Sequence, residues 1–140
     1  LKQDILKMRE KMLDVHPNPT PLFDIKHDRG GIIDVEFIVQ YLVLGYASQS
    51  PQLTGNIGNI ALLKLAGELG LVPAELATQV RTAYREYRRL QHRFRLGGEP
   101  ELTSAPLSKD KSEKFARIAA DHLSNDRLSV LQLWDAVFRL

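Results

Sequence analysis

Apolar residues recur along this chain mostly at helical spacing, and wherever the period breaks a proline or glycine stands. From Lys2 to Leu13, Ile5, Met8 and Met12 repeat every three to four positions with Leu6 and Leu13 alongside, while Lys, Arg and Glu fill the other face; this spacing predicts a helix. His16-Pro-Asn-Pro-Thr-Pro21 ends it, because proline lacks the N–H and drives the preceding residue out of the α region. Leu22 to Ile25 alternates apolar and polar residues and predicts a short strand, with no evident partner elsewhere in the chain. From about Ile32 to Ala47, Val35, Phe37, Ile38, Val39, Leu42, Val43 and Leu44 make a helix apolar on nearly all sides, which belongs at the centre of a bundle. Ser48 to Gln52 and Thr54 to Gly58 read as loop, followed by a helix from about Asn59 to Leu69 with Ile60, Leu63 and Leu65 inward and Gly70 as its stop. Pro73 suits the first position of a long helix reaching about Leu96, with Leu76, Val80, Ala83, Tyr87, Leu90 and Phe94 on one side. After a loop from Leu96 to Pro106, two closing helices are expected. One runs from about Ser108 to Leu123 on Phe115, Ile118 and Ala119; the other runs from Asp126 to Phe138 on Leu128, Leu131, Trp134 and Phe138, with Ser124 to Asp126 as break and cap. The pattern predicts an all-α fold, a helical bundle of about five to six helices with a short extended segment before a Gly-Gly turn, in a single domain spanning residues 1–140.

Composition narrows this only slightly. With 44% hydrophobic and 26% charged residues the chain is an ordinary globular one, and a formal charge of +2 is too small to imply a polyanionic partner such as nucleic acid. The absence of cysteine excludes disulfide staples and thiolate metal sites and permits an intracellular location. No apolar run is long enough for a spanning helix, and the chain starts without Met inside an amphipathic pattern, as a piece of a longer protein would.

The chemistry concentrates between Asp24 and Tyr41. Lys26, Asp28 and Arg29 stand before Gly30-Gly31, and a helix follows. Two glycines there suit a tight turn, and equally a loop whose amides approach an anion at a helix N-terminus. Asp34, in the first helical turn, suits the helix dipole or a cap, and equally a ligand-facing or Lys26-pairing role; Glu36 lies on nearly the opposite face and shares its own face with Gln40. Arg81, Arg85, Arg88, His92 and Arg95 form the strongest charged stripe. They read either as a solvated face or as a surface for an acidic partner, a phosphate or a neighbouring domain; no aromatics interleave with them, unlike a single-strand nucleic-acid platform. The four histidines are scattered without metal-ligand spacing, and no nucleophile elbow, Walker loop or dinucleotide fingerprint occurs.

The run Phe-Asp-Ile-Lys-x-x-x-Gly-Gly-Ile-x-Asp-x-Glu-Phe-x-Val-Gln-Tyr-Leu-Val-Leu, from Phe23 to Leu44, resembles the signature of the bacterial glutamine synthetase adenylyltransferase family. A related Lys…Gly-Gly-x-x-Asp run is shared with PII uridylyltransferases. Met8-Arg-Glu-Lys-Met12, Pro51-Gln-Leu-Thr54, Asn59-Ile-x-Leu-Leu63 and Ala83-Tyr-x-x-x-Arg88 followed by His92 favour the adenylyltransferases, in an order that suits their carboxy-terminal end. Gly55-Asn-Ile-Gly58 departs from the family pattern, lacking its aromatic and acidic residues. The resemblance implies an all-helical module behind a separate nucleotidyltransferase domain, whose Gly-Ser…Asp-x-Asp motif is absent here. It implies ATP and Mg2+ in the parent enzyme and none bound by this segment alone, and no catalytic or metal residue in it. It further implies glutamine synthetase, PII signal protein and the neighbouring domain as partners, and a cytoplasmic setting. Lys26, Arg29, Gly30 and Gly31 are then expected beside the nucleotide, with Asp34 and Glu36 orienting the basic side chains, and the Arg81 to Arg95 stripe as a possible partner or domain interface.

Overall fold

The computed structural model describes residues 1–55, 57–95, 117–119 and 121–139. Five α-helices dominate: α1 (Lys2–Val15), α2 (Ile32–Tyr46), α3 (Asn59–Glu68), α4 (Ala74–Arg95) and α5 (Ser124–Phe138), with a 3-10 turn at Pro51–Thr54. The apolar α2 lies between α3, α4 and α5, while α3 and α4 form an antiparallel hairpin and α5 packs along α4. Ile38, Leu63, Val80, Tyr87, Leu90, Val130 and Leu133 meet in the core, and Trp134 and Phe138 close one end at 4.3 Å between ring centroids. This is the all-α bundle that the apolar spacing predicts.

Four local expectations need correction. The extended segment does have a partner: β1 (Phe23–Asp24) pairs antiparallel with β2 (Arg117–Ile118), Phe23 opposite Ile118 and Asp24 opposite Arg117. Ile118 was expected inside a helix from Ser108 to Leu123. It is instead a fully buried strand residue, and the rest of that segment to Ala116, Phe115 included, lies outside the described residues, as does the 96–106 loop. The closing helix begins at Ser124 behind Leu123, whose φ is +60°, so Asp126 sits inside its first turn and supplies no cap; Leu128 is outward and half exposed. Pro73 precedes the long helix and accepts the Ala77 amide at 2.9 Å, which makes it the residue before the first turn.

On α1 the inward residues are Ile5 and Arg9, while Met8 is exposed. Arg9 therefore stands on the face that the sequence pattern assigns to apolar residues, and that placement builds the loop described below.

Gly30 takes φ +83°, a conformation open to glycine and strained for other residues. A Cβ there would stand 2.6 Å from Arg127 Cγ and 3.1 Å from the Arg127 carbonyl, so α5 approaches the loop because no side chain intervenes. Gly30→Ala should lower stability by about 2–4 kcal/mol through the combined left-handed strain and overpacking, measured by urea unfolding.

Candidate functional site

The segment from β1 to the first turn of α2 is braced by buried carboxylates. Asp34, fully buried, accepts Arg9 Nε at 2.6 Å on one oxygen, and Arg29 Nε at 3.0 Å and the Gly30 amide at 2.7 Å on the other. Arg9 also donates from Nη2 to the His27 carbonyl at 2.7 Å, joining α1 to the middle of the loop. Asp24 accepts the Lys26 and His27 amides, each at 3.0 Å, and Asp28 accepts Asn18 Nδ2 at 2.8 Å and the Asp24 amide at 3.0 Å. Asp34 thus orients Arg29, and its other cation is Arg9 rather than Lys26.

The anion-site expectation for the glycine amides does not match this geometry. Gly30 N–H is held by Asp34, and Gly31 N–H donates to the Asp28 carbonyl at 3.0 Å. Ile32 and Ile33 at the start of α2 donate to the Ile25 and Lys26 carbonyls at 2.7 and 3.2 Å, so the loop's own backbone fills the helix N-terminus. A Cβ at Gly31 would collide with the Ile25 carbonyl oxygen. Both glycines serve close internal packing, and the groups left facing outward are side chains.

Those side chains divide between two faces. Lys26 borders a groove of about 240 Å³ between α1 and α2, lined also by Met12, Ile33, Glu36, Phe37 and Gln40. Glu36 and Gln40 are exposed there, and Glu36 makes no hydrogen bond or ion pair among the described residues, so it does not orient a basic side chain as Asp34 does. Arg29, with 40% of its side chain exposed, opens onto a second cleft of about 370 Å³ shared with His16, Asn18, Asp28 and Arg127. Of the stripe on α4, Arg85, Arg88, His92 and Arg95 face solvent and Arg81 is half buried; Arg88 Nη1 donates to Gln91 Oε1 at 3.0 Å. The stripe does not reach either cavity beside the loop.

Three supporting residues were missed from sequence alone. Arg9 could have been found from its place four residues after Ile5 and three before Met12, on the inward face. Tyr87 donates its hydroxyl to the Gly30 carbonyl at 2.9 Å, and Arg127 donates Nε to the Arg29 carbonyl at 2.9 Å; nothing in their local sequence marks either role. Burial pushes the Tyr87 phenol well above its ordinary range, so it remains a donor.

His27 is buried, stacked on His16 with centroids 4.3 Å apart, and its Nδ1 lies 3.3 Å from Asp24 Oδ2. Burial pushes its imidazole below the usual range, outweighing the opposing pull of Asp24. The unfolded chain then takes up a proton near pH 6.5 before the folded one does, so stability should fall as pH drops from about 7.5 to about 6. Thermal unfolding across that window should show this slope in the parent chain and lose it in His27→Gln. Separately, Asp34→Asn should cost about 3–5 kcal/mol in urea unfolding by leaving Arg9 buried beside a neutral group, and Arg9→Met in the same chain should recover part of that loss.

The sequence model of the family described as GlnD PII-uridylyltransferase matches residues 2–139. The chain is also similar to proteins named bifunctional glutamine synthetase adenylyltransferase/adenylyl-removing enzyme. It is 70% identical over 138 residues to that of Nitrosomonas europaea, 67% to that of Nitrosomonas eutropha and 49% to that of Aromatoleum aromaticum, in each case over 99% of this chain. It spans only 15%, 15% and 13% of those relatives' own lengths. With a family match along nearly its whole length, the residues of the braced loop included, the chain belongs to the GlnD PII-uridylyltransferase family.

Proposed function

We propose that this chain is a helical module of an enzyme that transfers AMP from ATP to a tyrosine of glutamine synthetase and so regulates nitrogen assimilation. The observation that carries this reading is 70% identity along 99% of the chain to a protein named as a glutamine synthetase adenylyltransferase/adenylyl-removing enzyme. In this reading the module packs on a neighbouring nucleotidyltransferase domain that holds ATP and Mg2+ between its own carboxylates, and PII signal protein is a further partner. Among the described residues no three His, Asp or Glu side chains gather in a metal-holding group, and Asp24, Asp28 and Asp34 already accept internal donors. The module's contribution is therefore positional and electrostatic, and the segment alone is proposed to be inactive. Lys26 and Arg29 are the outward cations of a rigid loop, suited to meet nucleotide phosphates or to buttress the metal-holding carboxylates. Among the described residues no helix is long and apolar enough to cross a membrane; the proposed setting is the cytoplasm.

Two other assignments have support of their own. The family description favours a PII uridylyltransferase as parent. The solvent-facing Arg85, Arg88, His92 and Arg95 favour a non-catalytic interaction module that binds glutamine synthetase or PII. In the longer protein to which this reading assigns the chain, Lys26→Ala and Arg29→Ala should each raise the KM for ATP or lower kcat for adenylylation about tenfold, the loss of one charge-assisted contact. Unaltered kinetics in both, with binding of glutamine synthetase lost on changing Arg85 and Arg88 to glutamate, would replace this reading with the interaction module.

A further inference from the structure

Arg29 and Arg127 come from elements far apart in the chain and hold the same posture. Each turns Nε inward, Arg29 to Asp34 Oδ2 at 3.0 Å and Arg127 to the Arg29 carbonyl at 2.9 Å. Each rests its guanidinium on a core aromatic ring, Arg29 Cζ 4.7 Å from the centroid of Trp134 and Arg127 Cζ 4.4 Å from that of Phe23. With Nε donated and one side against a ring, the Nη groups remain, and among the described residues none of them has an acceptor. Both arginines line the same cleft of about 370 Å³. The one acid in its wall, Asp28, has an oxygen tied down by Asn18 Nδ2 and the Asp24 amide, so two fixed cations face a single engaged carboxylate.

A guanidinium held by Nε and by a ring face has lost most of its rotamer freedom before any ligand arrives, which lowers the entropic cost of a two-pronged contact with tetrahedral oxygens. We propose that this cleft binds an oxyanion of the phosphoryl class through the Nη groups of Arg29 and Arg127. The inference rests on the nucleotide reading only for the source of the phosphate, and it names Arg127 rather than Lys26 as the partner of Arg29, since Lys26 opens onto the separate groove beside Glu36.

The test is calorimetric titration of the 140-residue chain with sodium tripolyphosphate at low ionic strength, with the arginine Nε–H resonances of the unsubstituted protein followed by NMR. Saturable binding is expected, weakened about tenfold in Arg29→Lys and in Arg127→Lys, which keep the charge and lose the fork, and unchanged in Lys64→Ala, an exposed residue of α3 outside the cleft. The Arg29 and Arg127 resonances should shift in the unsubstituted chain, a readout that needs no variant to fold. Absence of saturable binding, or shifts confined to the α4 arginines, overturns the proposal, as does equal affinity in folded lysine variants. ATP binding more tightly than tripolyphosphate supports a nucleotide as the source, whereas equal affinities support a free phosphate chain in the same cleft. Because this is read as binding to the chain itself, its failure leaves the adenylylation kinetics of Lys26 and Arg29 to be judged separately.

Discussion

A single buried carboxylate holds the loop in place. Asp34 is fully enclosed, and its donors are two guanidinium groups and one amide: Arg9 from α1, Arg29 from the loop and the Gly30 N–H. Charge-assisted bonds of this kind each contribute roughly 1.5–3 kcal/mol net, while burying each ion costs several kcal/mol, so the cluster comes close to break-even as a source of stability. Arg9 Nη1 is buried without an acceptor among the described residues, which pushes the balance further from stabilisation. What the cluster supplies is uniqueness. No other carboxylate among the described residues reaches both guanidinium groups, so α1 and the loop have one way to dock, and a displaced loop would leave charge stranded in the core.

The consequences run outward from there. Arg9 grips the His27 carbonyl, Tyr87 the Gly30 carbonyl and Arg127 the Arg29 carbonyl, so α1, α4 and α5 each hold one successive stretch of the same backbone. Gly30 and Gly31 permit this because any side chain at either position would fall on Arg127 or on the Ile25 carbonyl. The short β1–β2 pairing, Phe23 against Ile118, pins the entrance to the loop. A segment whose glycines suit a tight turn or an anion-approaching loop is tied to three helices, which fix what it presents outward.

The helices were legible because burial of α2, α3 and α4 follows local apolar spacing, which a sequence states directly: Val35, Ile38, Leu63, Val80, Tyr87 and Leu90 are all buried where the period puts them. The partner of β1 was not legible, since pairing between Phe23 and Ile118 is a long-range choice made in tertiary context, and Ile118 carries equal weight in a helical or a strand pattern. At the loop, the charged residues and glycines were visible but not their engagements. Spacing shows that Asp34 is near a helix N-terminus and cannot show that Arg9 crosses from another helix to meet it. Arg9 was assigned to a polar face because arginine usually belongs there, and Met8 to the apolar one; burial reverses the two, since a guanidinium with a waiting carboxylate belongs inside and Met8 has none of the core to reach.

That reversal bears on the proposed contact of this loop with phosphate. Stabilising charge on a transferring or bound phosphoryl group demands donors already aimed, because any reorganisation at the moment of binding is subtracted from the interaction. A lone surface arginine offers charge with little aim. Arg29 differs: its Nε is fixed by a carboxylate that is itself fixed by Arg9, and its guanidinium rests on Trp134 of α5. The buried ion pair therefore acts two bonds removed from any ligand, converting packing of α1 against the loop into the direction of a cation at the surface. By the same reasoning Lys26, half-buried beside its groove and with no acceptor for its ammonium among the described residues, can lend potential to a neighbouring site but little geometry.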